Sequence, residues 1–364
     1  MTSIKNINQI FFHKDSLKIL PNRISEITTK NESVIFFIDE FFENQMSLLS
    51  FNFNSYSNIY FNYSSQEPTV ELIDIFIETI RSKKINPELI VAIGGGSTLD
   101  VGKAVSNMLT NPGISQDYQG WDLVKNPGIY KIGVPTLSGT GAESSRTCVL
   151  SNKKKNIKMG MNSHLSIYDE LILDPNLTDT VPRNQYFFSA MDTYIHSIES
   201  LNGNLKNLFS DTFSNNGLNI CREVFNSDDF MSDENREKIM LASYFGGIAI
   251  ANSMVGLVHP LSAGLSSVFG SYHCVSNCIV MMGMEEFYPE EYLEFKSFIR
   301  KHNILLPKIQ NLDLKSVTLA KLYDATIVHE KPLRNALGKN FKEILTYEKV
   351  SELFRKILFI NARI

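Results

Sequence analysis

The sequence lacks a CxxC pair among its four cysteines, and Cys148, Cys221, Cys274 and Cys278 all have apolar neighbours. This excludes a cysteine-built zinc or redox motif and predicts buried thiols in a reducing compartment. It also lacks an excess of basic charge, with a formal net charge of −4. A general binder of nucleic acid or anionic membranes needs the opposite balance, and the KKK at 153–155 reads as a solvated turn. No apolar run is long enough to span a bilayer, and the opening MTSIKNINQIFFHKD lacks the apolar core of a signal peptide. The expectation is a cytoplasmic protein with neither nucleic acid nor membrane as partner. Internal repeats, long linkers and a GxGxxG fingerprint are missing as well.

What is present is enough for two domains of ordinary size in 364 residues. The first half alternates short apolar strands (33–39, 57–63, 88–95, 131–136, 169–174) with helical patterns such as EPTVELIDIFIETIRSKK at 67–84. That βαβ rhythm predicts a mostly parallel, Rossmann-like sheet with helices on both faces. After DPNLTDTVP the strand signals nearly vanish, and 183–201, 208–226, 233–253 and 284–302 read as helices. We therefore expect an α/β domain over 1–180 and an all-helical domain over 181–364.

In VAIGGGSTLDVGKAV (91–105) three glycines leave an apolar strand and a helix follows. Gly94, Gly95 and Gly96 let a ligand approach the backbone, and Ser97 is placed to cap a helix whose dipole favours pyrophosphate. A tight strand–helix turn that needs glycine for packing alone would look the same. A second loop, VPTLSGTGAESSR (134–146), offers the hydroxyls of Thr136, Ser138 and Thr140 around Gly139 and Gly141. Two such loops at neighbouring strand ends would clamp a dinucleotide. Asp39, closing the strand SVIFFID, suits an adenosine ribose and would repel a 2′-phosphate, so NAD is expected over NADP. A helix-capping aspartate is the competing reading.

In the helical half, QYFFSAMDTYIHSIES puts Asp192 and His196 four residues apart on one buried helix face. His259 and His273 lie further on in another apolar stretch. If the four converge, one carboxylate and three imidazoles suit Fe²⁺ or Zn²⁺ and disfavour Mg²⁺ or Ca²⁺. Each histidine taken singly is more often a satisfied core residue than a ligand.

GGGSTLDVGK, PTLSGTGAES, D192-xxx-H196 and the His259/His273 pair, in this order and spacing, resemble the iron-containing (group III) alcohol dehydrogenase family. The resemblance implies a dehydroquinate synthase-like fold, with a dinucleotide-binding domain followed by a helical, metal-binding, catalytic one. It implies Asp192, His196, His259 and His273 as metal ligands. It also implies Gly95, Gly96, Ser97, Asp100, Thr136, Ser138 and Thr140 along the cofactor, and Lys158 near the nicotinamide ribose. A homodimer is the implied assembly. Two departures stand out: many members carry a histidine where this sequence has Ala263, and a glycine where it has Cys274. No separate acid or base is assigned.

DYQGWDLVKNPGIYKIGVPTLSGTGAESSRT (117–147) and HEKPLRNALG (329–338) look similar to the branch containing 3-deoxy-D-manno-octulosonate (Kdo) 8-oxidase. That branch implies oxidation of a primary alcohol on a sugar or sugar acid to an aldehyde, as a step toward an 8-amino sugar of lipopolysaccharide or capsule. A downstream aminotransferase is then an expected partner. An acidic sugar needs a cationic anchor, for which Arg146, Lys331 and Arg334 are candidates with His329 nearby. Alternatives are a dehydrogenase or reductase of another polyol, sugar phosphate or small aldehyde, and a dehydroquinate-synthase-like lyase. The DxxxH pair and the histidine spacing favour the dehydrogenase.

Overall fold

The apolar runs VIFFID and LIVAIG lie side by side as strands with no exposed core residue, which only a sheet covered on both faces allows. The structure is a computed structural model and describes residues 4–63, 67–309 and 314–363. It divides into two compact units. One runs to Lys153 and resumes over Met159–Val181; the other takes Lys154–Lys158 and everything from Pro182 onward.

The first unit contains strands β1 (Gln9–Phe12), β2 (Val34–Asp39), β3 (Ile59–Asn62), β4 (Leu89–Gly94), β5 (Gly120–Trp121), β6 (Tyr130–Pro135), β7 (Thr147–Asn152), all but the first two residues of β8 (Ile157–Asn162), and β9 (Glu170–Leu173). Six form a sheet in the order β1-β9-β6-β4-β2-β3, with every neighbouring pair parallel. Its helices are α1 (Leu20–Ile27), α2 (Val70–Ser82) and α3 (Gly96–Thr110). Thr69 begins α2 by accepting a bond from Leu72 N at 3.1 Å. One core packs α1 and a Phe36–Phe51–Phe53–Tyr56 aromatic cluster against Val34, Val91, Ile132 and Ile172. The order β5-β8-β7 makes a second, small sheet that the sequence patterns did not foreshadow.

The second unit is helical among its described residues beyond Pro182. It comprises α4 (Arg183–Asn202), α5 (Leu208–Asn226), α6 (Asp233–Asn252), α7 (Val258–Phe269), α8 (His273–Met281), α9 (Pro289–Lys301), α10 (Ser316–Ile327), α11 (Glu330–Leu337), α12 (Phe341–Ile344) and α13 (Tyr347–Arg363). The stretch read as one helix over 284–302 starts at Pro289, because proline is placed best at a helix's first position. Helix α4 is buried without interruption from Tyr186 to Ser200 and packs against α5, α6 and α8. It is the axis of the unit, hidden all round. The fold class is therefore the expected one: a parallel-sheet α/β unit and a helical unit.

Candidate metal centre and nucleotide edge

In the first unit the two glycine- and hydroxyl-rich loops leave adjacent strands at the same edge. Gly94 of β4 pairs with Pro135 of β6, and Thr136 N donates to Gly94 O at 3.0 Å. Asp39 ends β2 at that carboxyl edge, where open α/β sheets bind ligands. Asp39 makes the local cap that was its competing reading, accepting from Phe41 N at 3.1 Å, and Thr98 Oγ1 donates to it at 3.4 Å. The glycines are tightly placed. A Cβ on Gly94 would meet Thr98 Cβ at 2.7 Å, and one on Gly96 would meet Thr140 Oγ1 at 2.9 Å. Packing alone thus requires glycine at both, whereas a Cβ on Gly95 finds only ordinary contact. Ser97 is not the cap expected; Gly95 holds that position and no side chain caps α3. Ser138 Oγ is buried with no bond partner.

Asp100, expected along the cofactor, is engaged within the protein. Its carboxylate pairs with the fully buried Lys103 Nζ at 2.9 Å and accepts from Val149 N at 2.9 Å. Lys103 in turn donates to Ala142 O at 2.9 Å and to Thr147 O. The pair braces the loop between β6 and β7 from inside, a role signalled in the sequence only by the i, i+3 spacing of Asp100 and Lys103.

In the second unit α4 carries Asp192, His196 and Glu199 at positions i, i+4 and i+7, one buried face of the helix. Ligand atoms of Asp192, His196 and His259 all lie within 4.8 Å of one another. His273, the first residue of α8, brings its Nε2 within 3.5 Å of Asp192 Oδ2, and its ring centroid lies 5.4 Å from that of His259. The structure therefore gathers all four residues singled out in the sequence. Asp192 is fully buried while His273 keeps 31% of its side chain exposed, so the cluster is open on the His273 side.

Glu199 is a residue the sequence reading missed. One of its oxygens receives His259 Nδ1, and the other accepts from Val258 N at 2.5 Å and His259 N at 3.4 Å. A carboxylate from α4 thus caps α7, whose own N-cap Leu257 has no side-chain acceptor. The same contact leaves His259 Nε2 facing Asp192. Its signal was an acid three residues past His196 in a stretch too buried for an idle charge.

The electrostatics fit a cation site. Burial raises Asp192, yet the three imidazoles around it, with His259 donating a hydrogen bond to it, hold it well below the usual carboxylate range. Burial lowers His196 to about 4 and pushes His273 down too, so both are neutral donors at physiological pH. Burial works the same way on His259, but Glu199 and Asp192 outweigh it and raise it to about 10. A buried carboxylate facing the Nε2 atoms of three imidazoles is a donor set for a borderline divalent ion rather than for Mg²⁺ or Ca²⁺.

Comparison with known proteins agrees with this geometry. The profile "Iron-containing alcohol dehydrogenase" matches residues 8–175, and "Fe-containing alcohol dehydrogenase family, C-terminal" matches residues 187–357. The chain belongs to the iron-containing alcohol dehydrogenase family. It is 29% identical to the NAD-dependent methanol dehydrogenase of Bacillus methanolicus over 58% of this chain and 54% of that one. With several curated relatives the aligned stretch spans only about half of the relative's length. The 4-hydroxybutyrate dehydrogenase of Clostridium kluyveri aligns over 82% of this chain and 80% of its own, at 29% identity. Among solved structures, sulfoacetaldehyde reductase from Bifidobacterium kashiwanohense in complex with NAD⁺ shares the fold. Its TM-score is 0.81 at 20% identity, covering 98% of this chain and 99% of that one.

In this member of the iron-containing alcohol dehydrogenase family each expected cationic anchor has its own surroundings. Arg146 bonds Asp122 at 3.1 Å, contacts His164 Nε2 at 3.1 Å and stacks over Trp121 within the first unit. Lys331 and Arg334 are exposed on α11, and Arg334 pairs with Glu330 at 3.3 Å. His329, just before α11, is different. Its Nε2 is buried without a partner, and burial, then the charges of Lys158 and His259, lower it to about 4. Lys158 groups with the second unit and its charge also bears on His273. Among the described residues no helix is long and apolar enough to cross a membrane.

Proposed function

We propose that this chain is a metal-dependent oxidoreductase that moves hydride between a primary alcohol or its aldehyde and NAD. The observation that carries the reading is the buried cluster of Asp192, His196 and His259, with His273 beside it. A divalent ion bound there would supply Lewis acidity toward the alcohol oxygen, and bound NAD would take up the hydride. The chain's own residues do the rest. Asp192 would be the one negatively charged ligand beside three imidazoles, and Glu199 takes His259 Nδ1 and so leaves Nε2 for the ion. The carboxyl edge of β2, β4 and β6, with Asp39, Gly95, Gly96, Ser97, Thr136, Ser138 and Thr140, supplies backbone and hydroxyl groups for the dinucleotide. Asp39 at the β2 edge supports NAD over NADP. Ala263 offers no proton carrier, whereas His329 brings a neutral, buried imidazole.

The finer reading is oxidation of a sugar acid at a terminal carbon, Kdo at C8 being the case suggested by residues 117–147 and 329–338, with an aminotransferase consuming the aldehyde. Incubating the protein reconstituted with Fe²⁺ or Zn²⁺ with Kdo, with and without NAD, and trapping aldehyde for mass spectrometry tests it. A trapped product lacking two hydrogens supports the sugar-acid reading. Turnover of simple alcohols with no Kdo product leaves the dehydrogenase standing and removes Kdo. No metal-dependent turnover of any alcohol or aldehyde removes both.

A further inference from the structure

Four ligands do not exhaust what touches Asp192. Helix α8 begins with His273 and turns Cys274 and Asn277 toward the same carboxylate. Asn277, wholly buried, donates from Nδ2 to Asp192 Oδ1 at 2.6 Å. The same nitrogen lies 3.4 Å from His259 Nε2 and 3.3 Å from His273 Nε2, so it sits among the ligand atoms themselves. On the other oxygen, Cys274 Sγ donates to Asp192 Oδ2 at 3.6 Å.

The terminal torsion of an aspartate is soft, because a planar carboxylate on a tetrahedral carbon has no sharp rotamer. Buried between three imidazoles, Asp192 would swing toward whichever ring carries a proton unless another group held it. A bond of 2.6 Å from an amide to a charged oxygen is the stronger kind. Asn277 accepts an unfavourable place to make it, since its own Oδ1 is buried with no partner. A buried amide with one half unsatisfied and the other aimed at a ligand is not explained by core packing.

Building on the metal-site reading above, we propose that Asn277 is a positioning residue of the metal centre. Its N–H sets the rotation of the Asp192 carboxylate, and through it how the ligand set meets the ion. Cys274 assists from the other oxygen with a weaker S–H donor. One helix thus delivers a ligand, His273, together with two groups that aim a ligand on another helix.

The test uses the full chain, stripped of metal and titrated with Co²⁺. Visible absorption reports coordination geometry, and competition with a chromophoric chelator reports affinity. Asn277→Leu removes the donor at similar volume, and Asn277→Ser leaves a hydroxyl too short to reach Oδ1. Both variants are expected to bind Co²⁺ about 10–100-fold more weakly, the usual loss for a group that orients a ligand, with an altered spectrum. Cys274→Ala is expected to weaken binding less than either. Affinity and spectrum matching the wild type in the variants that fold would overturn the proposal, as would tighter binding. If Asn277→Leu fails to fold, Asn277→Ser decides. Wild-type protein that binds no Co²⁺ would remove the metal-site reading and this inference together.

Discussion

The two units build their candidate sites from opposite materials. The edge of the sheet uses backbone: strand ends, a helix start without a side-chain cap, glycines pressed against Thr98 and Thr140, and small hydroxyls. The helical unit uses charge: the carboxylates of Asp192 and Glu199 are buried on α4 among histidines and the amide of Asn277. A backbone site tolerates water and needs only shape. A site of buried charges is stable only while every charge keeps its partner, so one lost group should be felt throughout it. Substitutions in the helical unit should therefore strike binding, and those at the sheet edge should strike packing first.

The largest effect is expected for Asp192→Asn, which keeps the shape and removes the one negative ligand. Loss of the several kcal/mol a bound ion contributes should lower turnover about 10³-fold or more, with metal content falling alongside. Elemental analysis beside steady-state rates checks this. Lys103→Met comes next, and its effect is on stability. It strands Asp100 in the interior, so urea unfolding should show a loss of about 3–5 kcal/mol, part of it recovered by adding Asp100→Asn.

Glu199→Gln should weaken metal binding by about 10–100-fold, since His259 loses its charged anchor and α7 its cap. The native partner also implies a pH dependence. In the metal-free protein His259 is raised to about 10, so its proton stabilises the fold fully below its ordinary value near 6.5. That stabilisation is lost as pH rises through about 10. A cation needs the same nitrogen bare, so metal affinity should rise about tenfold per pH unit across the neutral range. Glu199→Gln should flatten that slope, and chelator competition at several pH values would show it. The smallest effect is expected for Gly96→Ala. Its Cβ would press on Thr140, costing about 1–3 kcal/mol and raising the KM for NAD with little change in metal content.

These contrasts also explain what could be read from sequence. The strands β2 and β4 were legible because a sheet buried on both faces needs unbroken apolar runs, and α2 because its apolar face repeats at helical spacing. The small sheet was not, since β5 is two residues long and β8 follows the polar KKKN turn. Helices α7 and α8 also escaped notice: VHPLSAGLSSVF and HCVSNCIVM are short and built largely of serine, glycine, proline, cysteine and valine, which are poor helix formers. In the site, a histidine or aspartate announces possible chemistry by its type. Glu199 and Asn277 do not, because their roles depend on which helix lies opposite. Arg146 shows the converse: its type and place near a motif suggested a substrate role, but not Asp122 and Trp121, the partners the fold gives it.

Calorimetric titration of the metal-stripped chain with Zn²⁺, repeated in buffers of different ionisation heat, tests the central claim most directly. The account predicts one ion per chain, with about one proton released as His259 gives up its Nε2, and no binding in Asp192→Asn. Binding that survives in Asp192→Asn, or that releases no proton near neutral pH, would contradict it.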